Sequence, residues 1–134
     1  MAQIQILNPD SLGKPLGQYS QITRVKASEY LFIAGQLGTD KDGNLVGEDF
    51  EAQCAQVFAN IGDALKSQGA GWGNVVQFTT FLVHSQDVPK LRAFRQRAYP
   101  KMFGDGGYPP NTLLIIDRLV SEAALIEVQA VAAI

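Results

Sequence analysis

Histidine and cysteine are almost missing from this sequence, because His84 and Cys54 are the only residues of their kinds. A lone cysteine cannot form an internal disulfide, and a structural zinc site needs several Cys or His ligands at short spacings. We therefore expect no metal site and no cofactor. Cys54 itself falls on the apolar stripe of a predicted helix, where a thiol most often fills space in the core.

The sequence also lacks a long hydrophobic run and a block of charge of one sign. A membrane-spanning helix needs about 18 or more consecutive apolar residues, and the Met1-Ala2-Gln3 start has neither the basic nor the apolar part of a signal peptide. The 11 basic and 13 acidic residues give a net charge of -2. They are scattered, so no patch for a phosphate backbone is expected. We expect a cytoplasmic protein that binds neither a membrane nor a nucleic acid.

The composition and the hydrophobic periodicity favour one α+β domain. The 134 residues are 46% hydrophobic and 18% charged, which suits a single domain over residues 1–134. The periodicity predicts the order β, β, β, α, β, α, β, β. The predicted strands are residues 4–7, 19–25, 30–36, 75–83, 113–117 and 125–132, and the predicted helices are residues 49–67 and 88 to about 100. We expect a mixed sheet with both helices packed on one face.

Three of these elements carry more detailed predictions. The strand at 75–83 is apolar or threonine-rich throughout, as expected of a strand that is buried on both faces. The first helix has an apolar residue at every helical turn, and the buried stripe of the second helix is predicted from Leu91, Phe94 and Ala98. Trp72, which lies between two glycines, is predicted to anchor the turn after the first helix.

The last predicted strand has two different faces, because side chains alternate along a strand. The purely apolar face carries Ile126, Val128, Ala130 and Ala132, and the other face carries Leu125, Glu127, Gln129 and Val131. The second face is too apolar to be left in water, so we expect another subunit to cover it. Glu127 would then lie near a subunit boundary, where a carboxylate either pairs with a cation or moves protons.

Five segments occur in a characteristic order across nearly the whole chain. They are Gly17-Gln18-Tyr19-Ser20-Gln21, Ile33-Ala34-Gly35-Gln36, Val75 to Val83, Tyr108-Pro109-Pro110-Asn111-Thr112 and Ile126-Glu127-Val128-Gln129-Ala130. In order and spacing they resemble the Rid family, which is also labelled endoribonuclease L-PSP-like. The resemblance implies a chorismate-mutase-like α+β fold and a homotrimer with three small-molecule clefts between neighbouring subunits.

The resemblance also implies an activity, the hydrolysis of reactive imines and enamines to ketoacids and ammonia. Glu127 matches the family's proton-handling glutamate and is the candidate catalytic residue. Tyr19, Gly35 and Thr112 match positions of the substrate cleft. Ala34 stands in the same cleft where the family commonly has a serine, which removes a hydroxyl that could bind a ligand or water.

Asn111 is the larger departure from the family pattern. In deaminating members an arginine in a Pro-Ala-Arg-Ser-type motif holds the substrate carboxylate, and Asn111 occupies its position. A guanidinium forms two charge-assisted hydrogen bonds, whereas an amide forms neutral ones that are roughly half as strong. We therefore expect that simple 2-imino acids such as 2-iminobutanoate are not substrates. Arg118 also matches a residue that is usual in the family and is not expected to replace the missing arginine.

Two classes of function remain open from the sequence. The first is a Rid-type hydrolase for an imine, enamine or related compound that needs no arginine clamp. The second is a non-catalytic trimer that binds a metabolite or a protein in the same clefts. Each residue also has a plainer interpretation: Glu127 as part of an interface ion pair, Tyr19 as a packing residue and Asn111 as a turn residue.

Overall fold

A computed structural model describes residues 1–134 and contains six strands and two α-helices in the predicted order. The strands are β1 (Gln3–Leu7), β2 (Ile22–Lys26), β3 (Tyr30–Leu37), β4 (Val75–Leu82), β5 (Asn111–Ile115) and β6 (Ile126–Ala133). The helices are α1 (Phe50–Ser67) and α2 (Val88–Phe103). Short 3-10 turns precede β4 and α2.

The main sheet is mixed, as predicted. Its strand order is β3-β6-β4-β5, and β1 and β2 pair with each other in a separate two-stranded sheet. Strands β4 and β5 are parallel and are joined through α2, while β6 is antiparallel to both of its neighbours. A parallel pair needs such a crossover connection, and the helix provides it.

Both helices pack on one face of this sheet, which confirms the predicted α+β architecture. The fully buried face of β6 is the purely apolar one, formed by Ile126, Val128, Ala130 and Ala132. Helix α1 covers it with the predicted stripe of Phe50, Cys54, Val57, Phe58, Ile61 and Leu65. Helix α1 begins where the sequence indicates, because the Asp49 side chain accepts a hydrogen bond from the backbone N–H of Ala52 at 3.1 Å.

Two predictions about β4 and α2 were wrong in part. Strand β4 is fully buried only on the helix side, and on the other side Gln77 is exposed while Phe81 is half-buried, because no second layer of this chain covers that side. Helix α2 does not end at Pro100 but continues to Phe103. The proline removes a single backbone donor in the last turn, and Phe103 packs on Tyr99 with 5.0 Å between the ring centroids.

Trp72 anchors the connection between α1 and β4, as predicted. Its ring lies 6.3 Å from that of Phe58 and 6.0 Å from that of Phe103, measured between centroids. A side chain on Gly62 of α1 would come within 3.2 Å of the indole. The glycine therefore lets the indole lie against the helix.

Gln53 links helix α1 to the segment that leads into β6. Its side chain is fully buried and donates hydrogen bonds to the carbonyl oxygens of Gly47 and Ala123, each at 3.0 Å. It also accepts one from the N–H of Leu125 at 2.8 Å. The helix approaches β3 so closely here that a Cβ on Gly38 would lie 2.6 Å from the Cα of Gln53.

The sheet face away from the helices, here called the open face, carries large apolar side chains among polar ones and is uncovered in the single chain. Phe32 on β3 is 80% exposed and Leu114 on β5 is 39% exposed. Phe81 and Val131 lie half-buried on the same face. Exposed apolar side chains of this size on an uncovered sheet face normally contact another protein surface. Neither α1 nor α2 combines the length and the hydrophobicity that a bilayer-spanning helix needs.

We expect this face to hold subunits together. Light scattering at micromolar concentration should give a mass that is a multiple of the 14.5 kDa chain mass. Phe32→Asp should shift the protein towards monomer, because it would bury an unpaired carboxylate in the contact. A wild-type monomer at this concentration would contradict the assignment.

Candidate functional site

The six site residues predicted from the sequence form two groups on opposite faces of the main sheet. Glu127 and Thr112 lie on the open face, and Gly35 and Ala34 belong to an adjoining irregularity of β3. Tyr19 and Asn111 line a cavity on the helix side. One chain therefore does not bring all six together.

Glu127 is the acidic residue of the open-face group. It is half-buried on β6 and is flanked in the strand register by Leu37 of β3 and Phe81 of β4. Its carboxylate lies over Gly35, where an added Cβ would come within 2.6 Å of the Glu127 carboxyl carbon. The two ion pairs of the chain are Lys90–Asp87 and Arg118–Glu122. Glu127 is thus a carboxylate between apolar neighbours without a cation of its own chain.

The backbone beside Glu127 departs from regular strand geometry. The β3–β6 register shifts between Ile33 and Gln36, which leaves Ala34 and Gly35 in a bulge. The exposed Ala34 offers its carbonyl oxygen, which accepts a hydrogen bond from the Gln36 side chain at 3.1 Å. Such a bulge leaves main-chain polar groups beside the glutamate without ladder partners.

Thr112 also lies on the open face, next to Thr79 of β4 in the parallel register. Its side chain is exposed. Because Asn111 precedes it on the same strand, the two side chains point to opposite faces. Asn111 pairs in register with Phe78, whose side chain is buried under the helices.

Tyr19 and Asn111 share a cavity of about 290 Å³ between β5, helix α2 and the loop before β2. Tyr19 lies in that loop rather than in a strand, since β2 begins only at Ile22. Its hydroxyl oxygen accepts a hydrogen bond from the N–H of Leu16 at 3.2 Å. The full lining is Leu16, Gly17, Gln18, Tyr19, Val88, Leu91, Arg92, Arg95, Asn111 and Leu113.

A chain of hydrogen bonds connects Asn111 to helix α2. The Thr80 hydroxyl donates to Oδ1 of Asn111 at 2.6 Å, and Nη2 of Arg95 donates to the same hydroxyl oxygen at 3.2 Å. Thr80 is fully buried, and Arg95 is 7% exposed. Asn111 is therefore held by its side-chain oxygen, which leaves its NH₂ group without a side-chain partner in the chain.

Sequence reasoning missed Arg95, although the sequence contains a signal for it. Leu91, Arg95 and Tyr99 are spaced by four residues, and they are the fully buried positions of α2. The predicted stripe used Phe94 and Ala98, which are half-buried. A charged residue in register with Leu91 and Tyr99 could have identified a buried guanidinium.

Burial also changes the titration of two groups near this arginine. It raises the pKa of Tyr99 to about 12, although the charge of Arg95 acts in the opposite direction. It likewise raises the pKa of the Cys54 thiol to about 12, again against the charge of Arg95. Cys54 is therefore a protonated core residue at neutral pH and is not a nucleophile.

Arg118 does not contribute to either group. It pairs with Glu122 at 2.7 Å and donates to the carbonyl oxygens of Leu119 and Val120 within the loop between β5 and β6. Its role is to shape that loop.

No cluster of three or more His, Cys, Asp or Glu side chains is arranged to hold a metal ion.

Several known proteins resemble this chain in sequence. A sequence model of the family described as endoribonuclease L-PSP matches residues 10–134. A RutC family protein of Pyrococcus horikoshii is 33% identical over 129 residues, which are 96% of each chain. A Bos taurus protein named 2-iminobutanoate/2-iminopropanoate deaminase is 37% identical over 89 residues, 66% of this chain and 64% of that one.

The fold is found in solved structures as well. The crystal structure of a Yersinia pestis protein of the conserved Rid family, of unknown function, superposes with a TM-score of 0.87 at 25% identity and covers 98% of each chain. The match to the family model and the full-length relatives agree with this superposition. The chain therefore belongs to the Rid family, whose sequence model carries the description endoribonuclease L-PSP.

Proposed function

We propose that this protein is a homotrimeric hydrolase that acts on an imine or enamine metabolite other than a simple 2-imino acid. The observation that carries the proposal is the Glu127 carboxylate, which lies over the Gly35 bulge without a cation of its own chain. A carboxylate kept free of ion pairs on an apolar face is available to move protons.

The chemistry needs one water molecule and one group that moves protons. The oxygen of water bonds to the imine carbon while the C=N π electrons move to nitrogen, and Glu127 takes a proton from that water. Glu127 returns this proton to the imine nitrogen, which gives the neutral carbinolamine. It then takes the proton of the carbinolamine hydroxyl as the C=O bond forms and the C–N bond breaks, and passes that second proton to the departing nitrogen, which leaves as ammonia. The products are a carbonyl compound and ammonia, and Glu127 ends unchanged.

The placement of the predicted residues supports a site between subunits, because their two groups lie on opposite faces of one sheet. A ligand can touch both groups if a neighbouring chain supplies one of them. The apolar open face around Phe32 and Leu114 is suited to that contact. We infer a homotrimer with the reaction in a cleft between subunits.

The limit on substrates comes from Asn111. Its amide can offer neutral hydrogen bonds, and its oxygen is already engaged by Thr80. It cannot form the bidentate clamp that a guanidinium gives a carboxylate. The deaminase name of the bovine relative supports the reaction class for this chain, and Asn111 argues against transfer of the same substrates.

Removal of the Glu127 acid should abolish turnover. Glu127→Gln keeps the size of the side chain and should lower ammonia release from imines generated in situ by roughly 100-fold or more. Glu48→Gln, at an exposed position before α1, makes the same charge change and should have no effect. The wild type could instead bind ligands without accelerating the hydrolysis of any member of a broad imine panel. That result would identify the protein as a non-catalytic binding trimer.

The position of the Glu127 carboxylate can be tested through Gly35. The atoms that a Cβ at Gly35 would meet belong to the end of a flexible side chain, so Gly35→Ala should displace the carboxylate and lower activity with little loss of stability. Gly38→Ala is the matched change, because its Cβ would meet the backbone of Gln53. It should lower the free energy of unfolding by about 1–3 kcal/mol in denaturant titrations. Equal destabilisation by the two changes would contradict this account.

A guanidinium restored at position 111 should widen the substrate range. Asn111→Arg, alone or with Ala34→Ser, should raise kcat/KM for 2-iminobutanoate, because it adds charge-assisted hydrogen bonds to the carboxylate. The gain should be roughly tenfold or more if one such contact forms. An unchanged rate would mean that other parts of the cleft also exclude these substrates.

A further inference from the structure

Arg95 is a buried cation without a carboxylate partner in its own chain. It is 7% exposed, its Nη2 donates to Thr80, and its Nε has no hydrogen-bond partner. A guanidinium does not lose its proton in proteins. The charge therefore remains, and a buried charge without an opposite charge is unfavourable. The ring of Tyr99, 5.6 Å from Cζ of Arg95, compensates for it only in part.

The surroundings of Arg95 are suited to a small organic anion. Arg95 lines the helix-side cavity together with Arg92, and the lining contains no aspartate or glutamate. The Tyr19 hydroxyl and the Asn111 amide add neutral hydrogen-bonding groups to the same wall. Leu91 and Leu113, with the other aliphatic side chains, give the cavity an apolar part. Two cations and an apolar wall favour a carboxylate with a short hydrocarbon chain.

We propose that Arg95 binds the carboxylate of the ligand, so that helix α2 supplies the positive charge that β5 lacks at position 111. The Thr80 hydroxyl lies between the Arg95 guanidinium and the Asn111 amide, which are its two hydrogen-bond partners. A carboxylate on Arg95 is therefore displaced from one held by an arginine at position 111. The imine group of this ligand rests on the proposed function. The binding of its carboxylate to Arg95 does not, because it requires no turnover.

The displacement has a consequence for substrate class. In a simple 2-imino acid the carboxylate is attached directly to the imine carbon. A carboxylate anchored on Arg95 of helix α2, and not on position 111 of β5, favours instead a compound with additional atoms between its acid group and its imine carbon. The same protein can then be a poor deaminase for simple 2-imino acids and still recognise an acidic substrate.

Binding of butanoate, compared with its neutral isostere butanamide, tests the anion site without any reaction. Isothermal titration at fixed ionic strength should show butanoate binding roughly tenfold or more tightly than butanamide. Arg95→Gln should remove that preference. Arg97→Gln is the matched control, because Arg97 is exposed on the same helix, carries the same charge and does not line the cavity. It should leave the preference unchanged.

The stability of the Arg95→Gln variant without ligand distinguishes an arginine that binds a ligand from one that stabilises the fold. Without ligand, Arg95→Gln should be as stable as the wild type or more stable, because it removes an uncompensated buried charge. Should this variant fail to fold, Arg95→Lys retains the charge but loses the planar fork, and weaker butanoate binding is then expected. Unchanged butanoate binding in the lysine variant would overturn the proposal.

Two other results would also overturn it. Equal affinities of the wild type for butanoate and butanamide would exclude an anion site. A smaller oligomer mass in Arg95→Gln, with butanoate binding unchanged, would show that the guanidinium pairs with a carboxylate of a neighbouring subunit. Absence of imine hydrolysis with the butanoate preference intact would count against the proposed function and would leave the anion site standing.

Discussion

The hydrogen bonds of Gln53 fix how helix α1 and strand β6 meet, and the rest of the site depends on that junction. Its buried side chain joins Gly47, Ala123 and Leu125, which come from two distant parts of the sequence. Leu125 directly precedes β6, whose side chains point alternately to the two faces of the sheet. A shift of the strand by one residue would exchange the two faces. Glu127 would then be buried under the helix, and its apolar neighbours would be exposed.

The main sheet therefore separates two kinds of chemistry. On the open face a carboxylate lies over an irregular piece of β3, among apolar side chains. On the helix side an arginine, a tyrosine and an asparagine surround a cavity. The Glu127 carboxylate and the Arg95 guanidinium of one chain lie on opposite sides of the sheet, so they do not pair with each other within that chain.

The sequence was sufficient for the fold because each element has a local pattern that agrees with its final environment. The stripe of α1 and the two faces of β6 follow from spacing alone. The boundaries of β2 and α2 were less predictable. Pro100 is tolerated because ring packing around Phe103 offsets one missing hydrogen bond, and such tertiary compensation leaves no mark in local sequence.

The site was less predictable than the fold, for a reason that applies to Arg95 in particular. Its spacing from Leu91 and Tyr99 indicates burial, but its contact with Thr80 and its distance from every carboxylate depend on how β4 and α2 pack. Likewise, Tyr19 and Asn111 are distant in sequence and meet only across the cavity. Spacing can indicate that a charged residue is buried, whereas the side chains that it contacts are determined by the tertiary structure.

The location of the single tryptophan gives this protein a convenient optical property. Trp72 lies within the aromatic cluster under the helices, away from the open face and outside the cavity lining. Its fluorescence should report the integrity of the core and should respond little to ligand entry into the helix-side cavity. An unchanged emission spectrum in a variant of the open face or the cavity would therefore indicate that the aromatic core is intact, and a change in assembly or binding could then be attributed to the altered surface.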